Sequence, residues 1–468
     1  MSAPRLNRAT LAQAAERGAL TPTYAREGEP GVLHLGLGAF TRAHQAMVFD
    51  QLLAQGDRRW GMHGIGMNQP RLVEQLREQD GLYALRVADA QGLRWHVPGA
   101  LWRMNVAATE RAAVLQAMAS PALRWITLTV TEKGYTSALG QLLAEGLRLR
   151  QSQGGAGLTI ASCDNLQGNG HKLRSLVLQA CGQGALSDWI TRHCAFPCSM
   201  VDRIVPASSD AIRGEAQAAL GLRDDTALGT EGFWEWVLED RLAAASDAAL
   251  LAAAGVKITR EVHVYEEAKL RMLNGSHTAM ALMGAITGRR FIADCIAEPP
   301  IRAFVARLME REVAPHLARK DWPAYRDALI TRFGNPHLRH SVHQIATDSS
   351  LKIPQRWPPS VQAQLEAGAG IDHHALAAAA WLRYGLAHDE NGQSYDIQDP
   401  NGQRLKALAA EQRHAPEAAV QALLSQPDWW GPDLANWPQW PERVGHWHGR
   451  ILALGIDGAV QELLKDIP

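Results

Sequence analysis

The sequence is poor in the features that mark membrane, extracellular and nucleic-acid-binding proteins. Its 468 residues include only five cysteines, an odd and sparse set that argues against a disulfide framework and favours a reducing compartment. No apolar run approaches the roughly 20 residues that a membrane-spanning helix needs, and residues 1–30 lack the apolar core of a signal peptide. A formal net charge of -1 gives no reason to expect a nucleic acid or a membrane as partner. We therefore expect a cytoplasmic protein whose partner is a small molecule.

The remaining composition is that of an ordinary globular protein with more than one domain. Hydrophobic residues make up 46% and charged residues 20%, and we find no internal repeat. Short apolar strands alternate with helices as far as about residue 260, and helices follow from there. The pattern predicts an α/β, Rossmann-like domain with a parallel-rich sheet over residues 1–260 and a mostly α-helical domain over residues 261–468.

A short glycine turn near the start of the chain is typical of dinucleotide-binding folds. The apolar run 32–35 predicts a buried strand, and Gly36 and Gly38 follow it ahead of a helix predicted over 42–53. In such folds this order of strand, glycine turn and helix binds a pyrophosphate. Thr41 stands where the third glycine of the usual pattern belongs, so an ordinary strand–turn–helix connection is the alternative.

The second predicted strand, residues 60–67, lacks the acidic residue that often binds the adenosine ribose in these folds. Asn68 follows the strand and is able to hydrogen-bond the ribose. Arg71 comes soon after and would favour a 2′-phosphate. The sequence thus leaves the choice between NAD and NADP open.

Polar residues follow other predicted strands, at the edge where parallel sheets bind ligands. Glu132 and Lys133 come after the strand predicted over 125–130, and Asn165 comes after the strand predicted over 158–163. A plain solvated turn is the alternative for the first pair.

Asp202 and Arg203 stand inside the apolar stretch 196–206, which is unusual for charged residues. They are either a buried ion pair that holds a strand or a charged edge that faces the site.

The stretch from Tyr265 to His277 places three chemically able side chains on one predicted helix. At about 100° per residue, Asn274 lies about 140° and His277 about 80° around the axis from Lys269, so all three can face one cleft. A desolvated lysine can exchange a proton with a substrate hydroxyl near neutral pH. An amide can donate to an oxygen that carries negative charge, and an imidazole can hold a neighbouring hydroxyl or carbonyl. The alternative is a surface lysine, a capping asparagine and a hydrogen-bonded histidine.

Basic residues recur in the helical region. Arg339 and His340 stand in a helix predicted over 336–347, and Lys352 and Arg356 follow it. Together they could bind a carboxylate, and a solvated basic face is the alternative. Five tryptophans near the C-terminus predict irregular packing over the helical domain rather than a sugar-binding platform.

Seven short motifs resemble those of the mannitol dehydrogenase family, the long-chain polyol and uronate dehydrogenases, and they occur in the family's order. They are residues 36–45 (GLGAFTRAHQ), 80–83 (DGLY), 131–135 (TEKGY), 162–165 (SCDN), 199–206 (SMVDRIVP), 236–240 (WVLED) and 269–277 (KLRMLNGSH). The resemblance runs from about residue 31 to about residue 400. Within the family, residues 339–356 look closer to fructuronate reductases (mannonate oxidoreductases) than to polyol enzymes. The segment after Tyr135 is shorter than the family pattern.

The resemblance implies a metal-free, two-domain enzyme with a nicotinamide cofactor. Lys269 would be the general acid/base, Asn165 and Asn274 would hold the reacting oxygen, and His277 would orient the substrate. Glu266 would relay a proton to solvent. The implied substrate contacts are Asp202, Arg339, His340 and Lys352. The implied cofactor contacts are Leu35, Gly36, Gly38, Ala39, Phe40, Arg42, Asn68, Glu132 and Asn165.

We predict hydride transfer between NAD(H), with NADP also open, and C2 or C5 of an open-chain keto-sugar acid of the fructuronate/mannonate type. The nearest alternative is a polyol 2-dehydrogenase acting on mannitol, sorbitol or arabinitol. A second is a cofactor-binding protein without turnover, against which the intact set of Lys269, Asn274 and His277 argues. A third is a structural or interaction protein, which failure to bind a nicotinamide cofactor would favour. The sequence does not set the oligomeric state.

Overall fold

The computed structural model describes residues 3–89, 92–338 and 340–466. The chain forms two compact units, of which the first ends at His263 and the second begins at Val264. Sheets and helices build the first unit, and helices build the second. No helix of the described residues is long and apolar enough to cross a lipid bilayer.

Strands occur only in the first unit, as far as the structure describes the chain. They are β1 (Val32–Leu35), β2 (Met62–Gly66), β3 (Leu85–Asp89), β4 (Gly92–His96), β5 (Leu101–Val106), β6 (Trp125–Leu128), β7 (Thr159–Ser162), β8 (Ser199–Asp202), β9 (Leu228–Glu231), β10 (Glu235–Glu239) and β11 (Lys257–Thr259). Five of them form one sheet in the order β5-β2-β1-β6-β7, with every pairing parallel. Two smaller sheets have the orders β11-β10-β8 and β4-β3-β9.

The central strands of the parallel sheet are apolar because helices cover both faces. All four residues of β1 and of β6 are buried, as expected where side chains on both faces lack contact with water. The helices of the first unit are Leu11–Glu16, Ala39–Ala43, Gln45–Ala54, Pro70–Glu78, Arg111–Ala119, Ser137–Ser152, Asn169–Cys181, Ala185–His193, Asp210–Leu220 and Ser246–Ala253, with Val262–Ala268 at the boundary and 3₁₀ turns at Arg58–Trp60 and Glu132–Gly134.

Helices are broken at two places in the first unit. The helix predicted over 42–53 is two helices that meet at His44, whose backbone is not helical (φ -125°, ψ -85°). The helices Asn169–Cys181 and Ala185–His193 are separated at Gly182 and Gly184, which have φ of 66° and 141°. Glycine adopts such angles without steric cost, so the chain turns there instead of continuing the helix.

The second unit is a set of helices around one apolar core. They are Gly275–Ile286, Ile292–Ala297, Pro299–Arg307, Trp322–Phe333, Val342–Ala346, Ser349–Arg356, Pro358–Glu366, Asp372–Tyr384, Gly402–Glu411, Pro416–Leu424, Pro427–Trp430 and Gln439–Asp466, with π-helical segments at Lys269–Asn274 and Leu308–Val313 and 3₁₀ turns at Ala314–His316 and Leu434–Asn436. Every residue of Gly275–Ile286 is buried, so the helix that follows Asn274 has a fixed position in its unit.

Two predictions about the helical region need correction. The helix predicted over 336–347 is limited to Val342–Ala346, and a separate helix, Ser349–Arg356, follows it with Pro354 in its interior. Trp440 and Trp447 do not lie in irregular structure, since they belong to a long helix that is kinked at Gly455. Both are buried, as predicted for packing residues. The predicted fold class, a Rossmann-like unit followed by a helical region, is confirmed.

Candidate active site

A cavity of about 610 Å³ opens in the first unit, at the carboxyl ends of the parallel strands. Loops that follow β1, β2, β6 and β7 line it, because these ends meet at one edge of the sheet. The residues that line it and were predicted to contact a cofactor are Gly36, Gly38, Ala39, Phe40, Asn68, Glu132 and Asn165. The cavity is therefore the place where the first unit can hold a ligand.

The two glycines of the turn after β1 have different roles. Gly36 has φ 95°, and a Cβ on it would lie 2.1 Å from the carbonyl oxygen of Thr129. The Thr129 hydroxyl donates to the carbonyl of Gly36 at 2.9 Å, so the two loops are in direct contact. Gly38 is extended (φ -114°), and the nearest atom that a Cβ would meet is 3.7 Å away. Gly36 is thus required by packing, and Gly38 leaves its backbone open to the cavity.

Leu35 and Arg42 are not among the residues that line the cavity, and their predicted contact with a cofactor stays a prediction. Leu35 is buried within β1. The Arg42 guanidinium points into the protein, where Nη1 donates to the carbonyl of Thr226 at 2.7 Å and Nε to that of Gly38 at 3.0 Å. Leu35 therefore belongs to the strand that precedes the glycine turn, and Arg42 links the backbone of Gly38 to that of Thr226.

The loop after β2 contributes Met67, Asn68 and Gln69 to the cavity. None of them carries a charge, in agreement with the missing acid noted in the sequence. Asn68 is exposed, so its amide is accessible to a ligand.

Asp202 and Arg203 have separate surroundings at the end of β8. Asp202 is buried at the end of β8, and its neighbour Val201 lines the cavity. The Arg203 Nε and Nη2 donate to the carbonyl of Glu231 at 3.1 and 2.8 Å. Arg203 is therefore held by backbone groups, and the predicted contact of Asp202 with a substrate stays a prediction.

In the second unit, the predicted catalytic helix contains a π-helical segment, Lys269–Asn274. A π-helix closes its hydrogen bonds over five residues instead of four, so residues five apart lie closer around the axis than in an α-helix. The angle of about 140° expected between Lys269 and Asn274 from α-helical geometry is therefore too large. Such segments are rare and are frequently found at functional sites.

The catalytic candidates of the second unit are largely shielded from water. Lys269 and His277 each have 6% of their surface exposed, and Asn274 is half-buried. Glu266, on the helix before the π segment, is half-buried. Burial disfavours the charged form of a lysine, so the burial of Lys269 fits an acid–base residue better than the surface lysine considered as the alternative.

His277 packs between an aromatic ring and a second histidine. Its ring stacks on Phe333 at 5.0 Å and meets His340 edge-on at 5.0 Å. Its Nε2 and the Nδ1 of His340 are buried and make no hydrogen bond to any of the described residues. Burial, helped by neighbouring positive charge, holds the pKa of His277 well below its usual range and lowers the pKa of His340 to about 4. Both imidazoles are therefore neutral near pH 7 and act as hydrogen-bonding groups.

Positive charge is concentrated around this histidine pair. After burial and His340, the groups that lower the pKa of His277 are Arg356, Arg332 and Lys352. Arg332 is buried on the last turn of Trp322–Phe333 and was not identified from the sequence. Its position in the last turn of an ordinary helix gave no signal. The three side chains, called here the cationic cluster, make this region attractive to an anion.

Two members of the cationic cluster are anchored to backbone groups. Arg356 Nη1 donates to the carbonyl of Asn274 at 3.2 Å and to the Thr278 hydroxyl at 2.5 Å, which ties it to the helix that carries the catalytic candidates. Lys352 Nζ donates to the carbonyls of Ile345, at 3.2 Å, and Thr347. Arg339, a predicted substrate contact, lies outside the described residues.

The sequence missed several residues of the cavity in the first unit. They are Leu37, Met67, Gln69, Thr129, Val130, Thr131, Cys163, Asp164 and Val201. All follow or end a strand, so the rule that placed Glu132 and Asn165 at the carboxyl edge would have found most of them if applied to whole loops.

A Rossmann-like unit with a cavity at the strand ends, followed along the chain by a helical unit, is the organisation of a nicotinamide-dependent dehydrogenase or reductase. The family model of the mannitol dehydrogenase Rossmann domain matches residues 30–250, and that of the mannitol dehydrogenase C-terminal domain matches residues 261–450. The chain belongs to the mannitol dehydrogenase family and is an oxidoreductase that acts on CH–OH groups.

Relatives in this family carry different names. An uncharacterized oxidoreductase, YeiQ, of Escherichia coli is 34% identical over 95% of this chain and 97% of its own. The D-mannonate oxidoreductase of Escherichia coli is 36% identical over 89% of this chain and 91% of its own. The structure of Pseudomonas fluorescens mannitol 2-dehydrogenase with NAD and D-mannitol is 30% identical and has a TM-score of 0.88, covering 99% of this chain and 100% of the other.

Proposed function

We propose that the protein interconverts a keto-sugar acid and its hydroxy form, as in the fructuronate/mannonate pair, with NAD as the hydride carrier. The observation that carries the choice of an acid is the cationic cluster beside His277. A carboxylate gains charge-assisted hydrogen bonds from arginine and lysine, whereas a neutral polyol gains no such interaction. The similarity to a D-mannonate oxidoreductase supports the same choice.

The cavity of the first unit fits a dinucleotide. Gly38 leaves its backbone open to the cavity, as close approach of a pyrophosphate requires, and the volume of about 610 Å³ lies within the usual range for small-molecule sites. When bound, the nicotinamide supplies or accepts the hydride. NAD is proposed because a relative with this fold holds it. The absence of an acid at Asn68 makes NADP the competitor to test.

The side chains of the second unit handle the proton and the substrate oxygen. In the reductive direction Lys269 delivers a proton to the carbonyl oxygen, and the Asn274 amide donates to that oxygen while negative charge develops on it. His277, neutral and with its Nε2 available, holds a neighbouring hydroxyl. Glu266 relays the proton between Lys269 and solvent. The role of Asn165 as a second amide donor is part of the same proposal.

A polyol 2-dehydrogenase is the second candidate. It is favoured by the similarity to mannitol 2-dehydrogenase over the whole chain. In that case the cationic cluster would have a structural role, since two of its members, Lys352 and Arg356, already bind backbone carbonyls.

The experiment that tests the choice compares Arg356→Gln with wild type on fructuronate and on fructose, with NADH in excess. If the cluster binds a carboxylate, KM for fructuronate rises on the order of tenfold or more, the worth of one charged hydrogen bond, and activity on fructose changes little. Arg302→Gln is the matched control, because Arg302 is exposed in the same unit and also donates to a backbone carbonyl, that of Ile296 at 3.1 Å. An equal loss on both substrates would contradict the carboxylate site.

A further inference from the structure

One turn of the cofactor cavity has a backbone conformation that its residue does not favour. Thr131, in the loop after β6, has φ 63° and ψ 169°. This region is essentially restricted to glycine, so the backbone of any other residue is strained there. Threonine is β-branched and tolerates it especially poorly. The conformation persists only if other groups hold it, and Thr131 lines the cavity directly.

The groups that hold this turn converge on one carboxylate. Asp164 Oδ1 accepts the backbone N–H of Thr131 at 2.7 Å, and Oδ2 accepts that of Val130 at 3.3 Å and the hydroxyl of Tyr135 at 3.2 Å. The Tyr135 hydroxyl also meets the Ser162 hydroxyl at 2.5 Å. The carboxylate therefore accepts hydrogen bonds from residues on both sides of the strained backbone angle.

Asp164 is itself fixed to the scaffold of the first unit. Its carbonyl accepts from Asn169 Nδ2 at 3.0 Å, and the same amide nitrogen donates to the carbonyl of Ser199 at 2.8 Å. Asn169 Oδ1 accepts the N–H of Ser199 at 2.9 Å. Asn169 thus links the loop after β7 to β8, which makes Asp164 a rigid anchor instead of a flexible surface acid.

The turn that Asp164 holds is the turn that touches the first glycine. Thr129 contacts Gly36 through its carbonyl and its hydroxyl, as described above. The Thr129 hydroxyl also meets His34 Nε2 at 2.8 Å. Any shift of the Thr129–Thr131 backbone would therefore reach the wall of the cavity and the glycine turn together.

We propose that Asp164 is a positioning residue for the cofactor, which acts by holding the strained Thr131 turn in the conformation that shapes the cavity. The proposal rests on the nicotinamide site proposed above. Its chemistry is that of an anchor and not of a catalytic acid, because both carboxylate oxygens are occupied by N–H and O–H donors. Burial raises the pKa of Asp164 to about 6. Burying a carboxylate costs folding free energy, so its position is better explained by a role in the site than by stability alone.

The test measures the dissociation constant of NADH by fluorescence and the Tm of the same samples. Asp164→Asn keeps the size of the side chain but places an amide where three donors now meet a carboxylate. We expect the Kd for NADH to rise on the order of tenfold, which corresponds to about 1.4 kcal/mol. Asp50→Asn is the matched control, because Asp50 is also buried in the first unit and also receives a backbone N–H, from Gly99 at 2.6 Å, and a tyrosine hydroxyl, from Tyr24. It should lower Tm and leave the Kd unchanged.

A second variant separates positioning from direct contact with the cofactor. Thr131→Gly removes the conformational cost, so in this background Asp164→Asn should raise the Kd much less than it does in the wild type. An undiminished effect would overturn the proposal, since the carboxylate would then act by another route. Equal Kd values for wild type and Asp164→Asn would overturn it as well, while leaving the proposed function standing. Failure of the wild type to bind NADH or NADPH would overturn both.

Discussion

The two units build their candidate sites from different materials. The cavity of the first unit is made by turns at strand ends, where backbone conformation and glycine decide what fits. The candidate groups of the second unit are buried or half-buried side chains on one helical stretch, held by a π-helical segment and by ring contacts. The difference teaches that a change in the first unit should act on cofactor binding, and a change in the second on chemistry and substrate choice.

The largest expected effect comes from Lys269→Ala. Removing the proposed general acid/base should reduce turnover on the order of 1,000-fold, within the usual range for such groups. The Kd for NADH should stay unchanged, because the cavity belongs to the first unit. Steady-state kinetics and NADH fluorescence measure the two quantities, and Lys320→Ala, an exposed lysine of the same unit, is the control. Near-normal turnover would remove Lys269 from the mechanism.

Gly36→Ala should impair cofactor binding in the cavity of the first unit. The added Cβ would meet the Thr129 carbonyl at 2.1 Å, so the two loops must separate, and we expect NADH affinity to fall on the order of 100-fold. Gly154→Ala is a matched control, because Gly154 also has positive φ (72°) but nothing within 4 Å of its Cβ position. It should show only the modest cost of the backbone angle. Similar NADH affinities in the two variants would mean that contact between the loops is not needed for the cofactor.

A smaller effect concerns the neutral histidines of the second unit. The pKa of His340 is lowered to about 4 by burial and by Lys352, so between about pH 4 and the unfolded value of about 6.5 the unfolded chain binds more protons. Stability should therefore rise with pH through this window, and His340 should contribute about 2 kcal/mol of loss on going from pH 7 to pH 5. Denaturant unfolding at both pH values, compared with His340→Gln, measures it. A variant with the same pH dependence as wild type would show that His340 is not the titrating group.

The contrast between strand-end turns in the first unit and buried side chains in the second explains what the sequence could predict. The first unit follows rules that leave a trace in the chain, since Gly36, Gly38 and the polar residues Asn68, Glu132 and Asn165 all directly follow predicted strands. Asp164 escaped notice although it precedes Asn165. Its importance comes from the backbone angle of Thr131 and from the two N–H groups that it accepts, and neither is visible in residue types.

The second unit was less predictable for physical reasons. Lys269, Asn274 and His277 were identified by chemistry and spacing, but the π-helical segment that sets their geometry leaves the apolar periodicity unchanged. Arg332 comes from a separate helix and reaches His277 only in the folded unit. The helix Ser349–Arg356 contains Pro354, a residue that disfavours helix interiors. Tertiary packing prevails over that local preference, and it cannot be read from residue types.

The most direct test of the account is the consumption of NADH by the wild-type protein with fructuronate and with fructose, measured side by side at equal concentrations. The cationic cluster predicts a kcat/KM for fructuronate that exceeds that for fructose on the order of 100-fold, the worth of a well-placed charged hydrogen-bonded pair. An equal or higher value for fructose would contradict the account. It would move the protein to the polyol dehydrogenases and leave Arg332, Lys352 and Arg356 with a structural role.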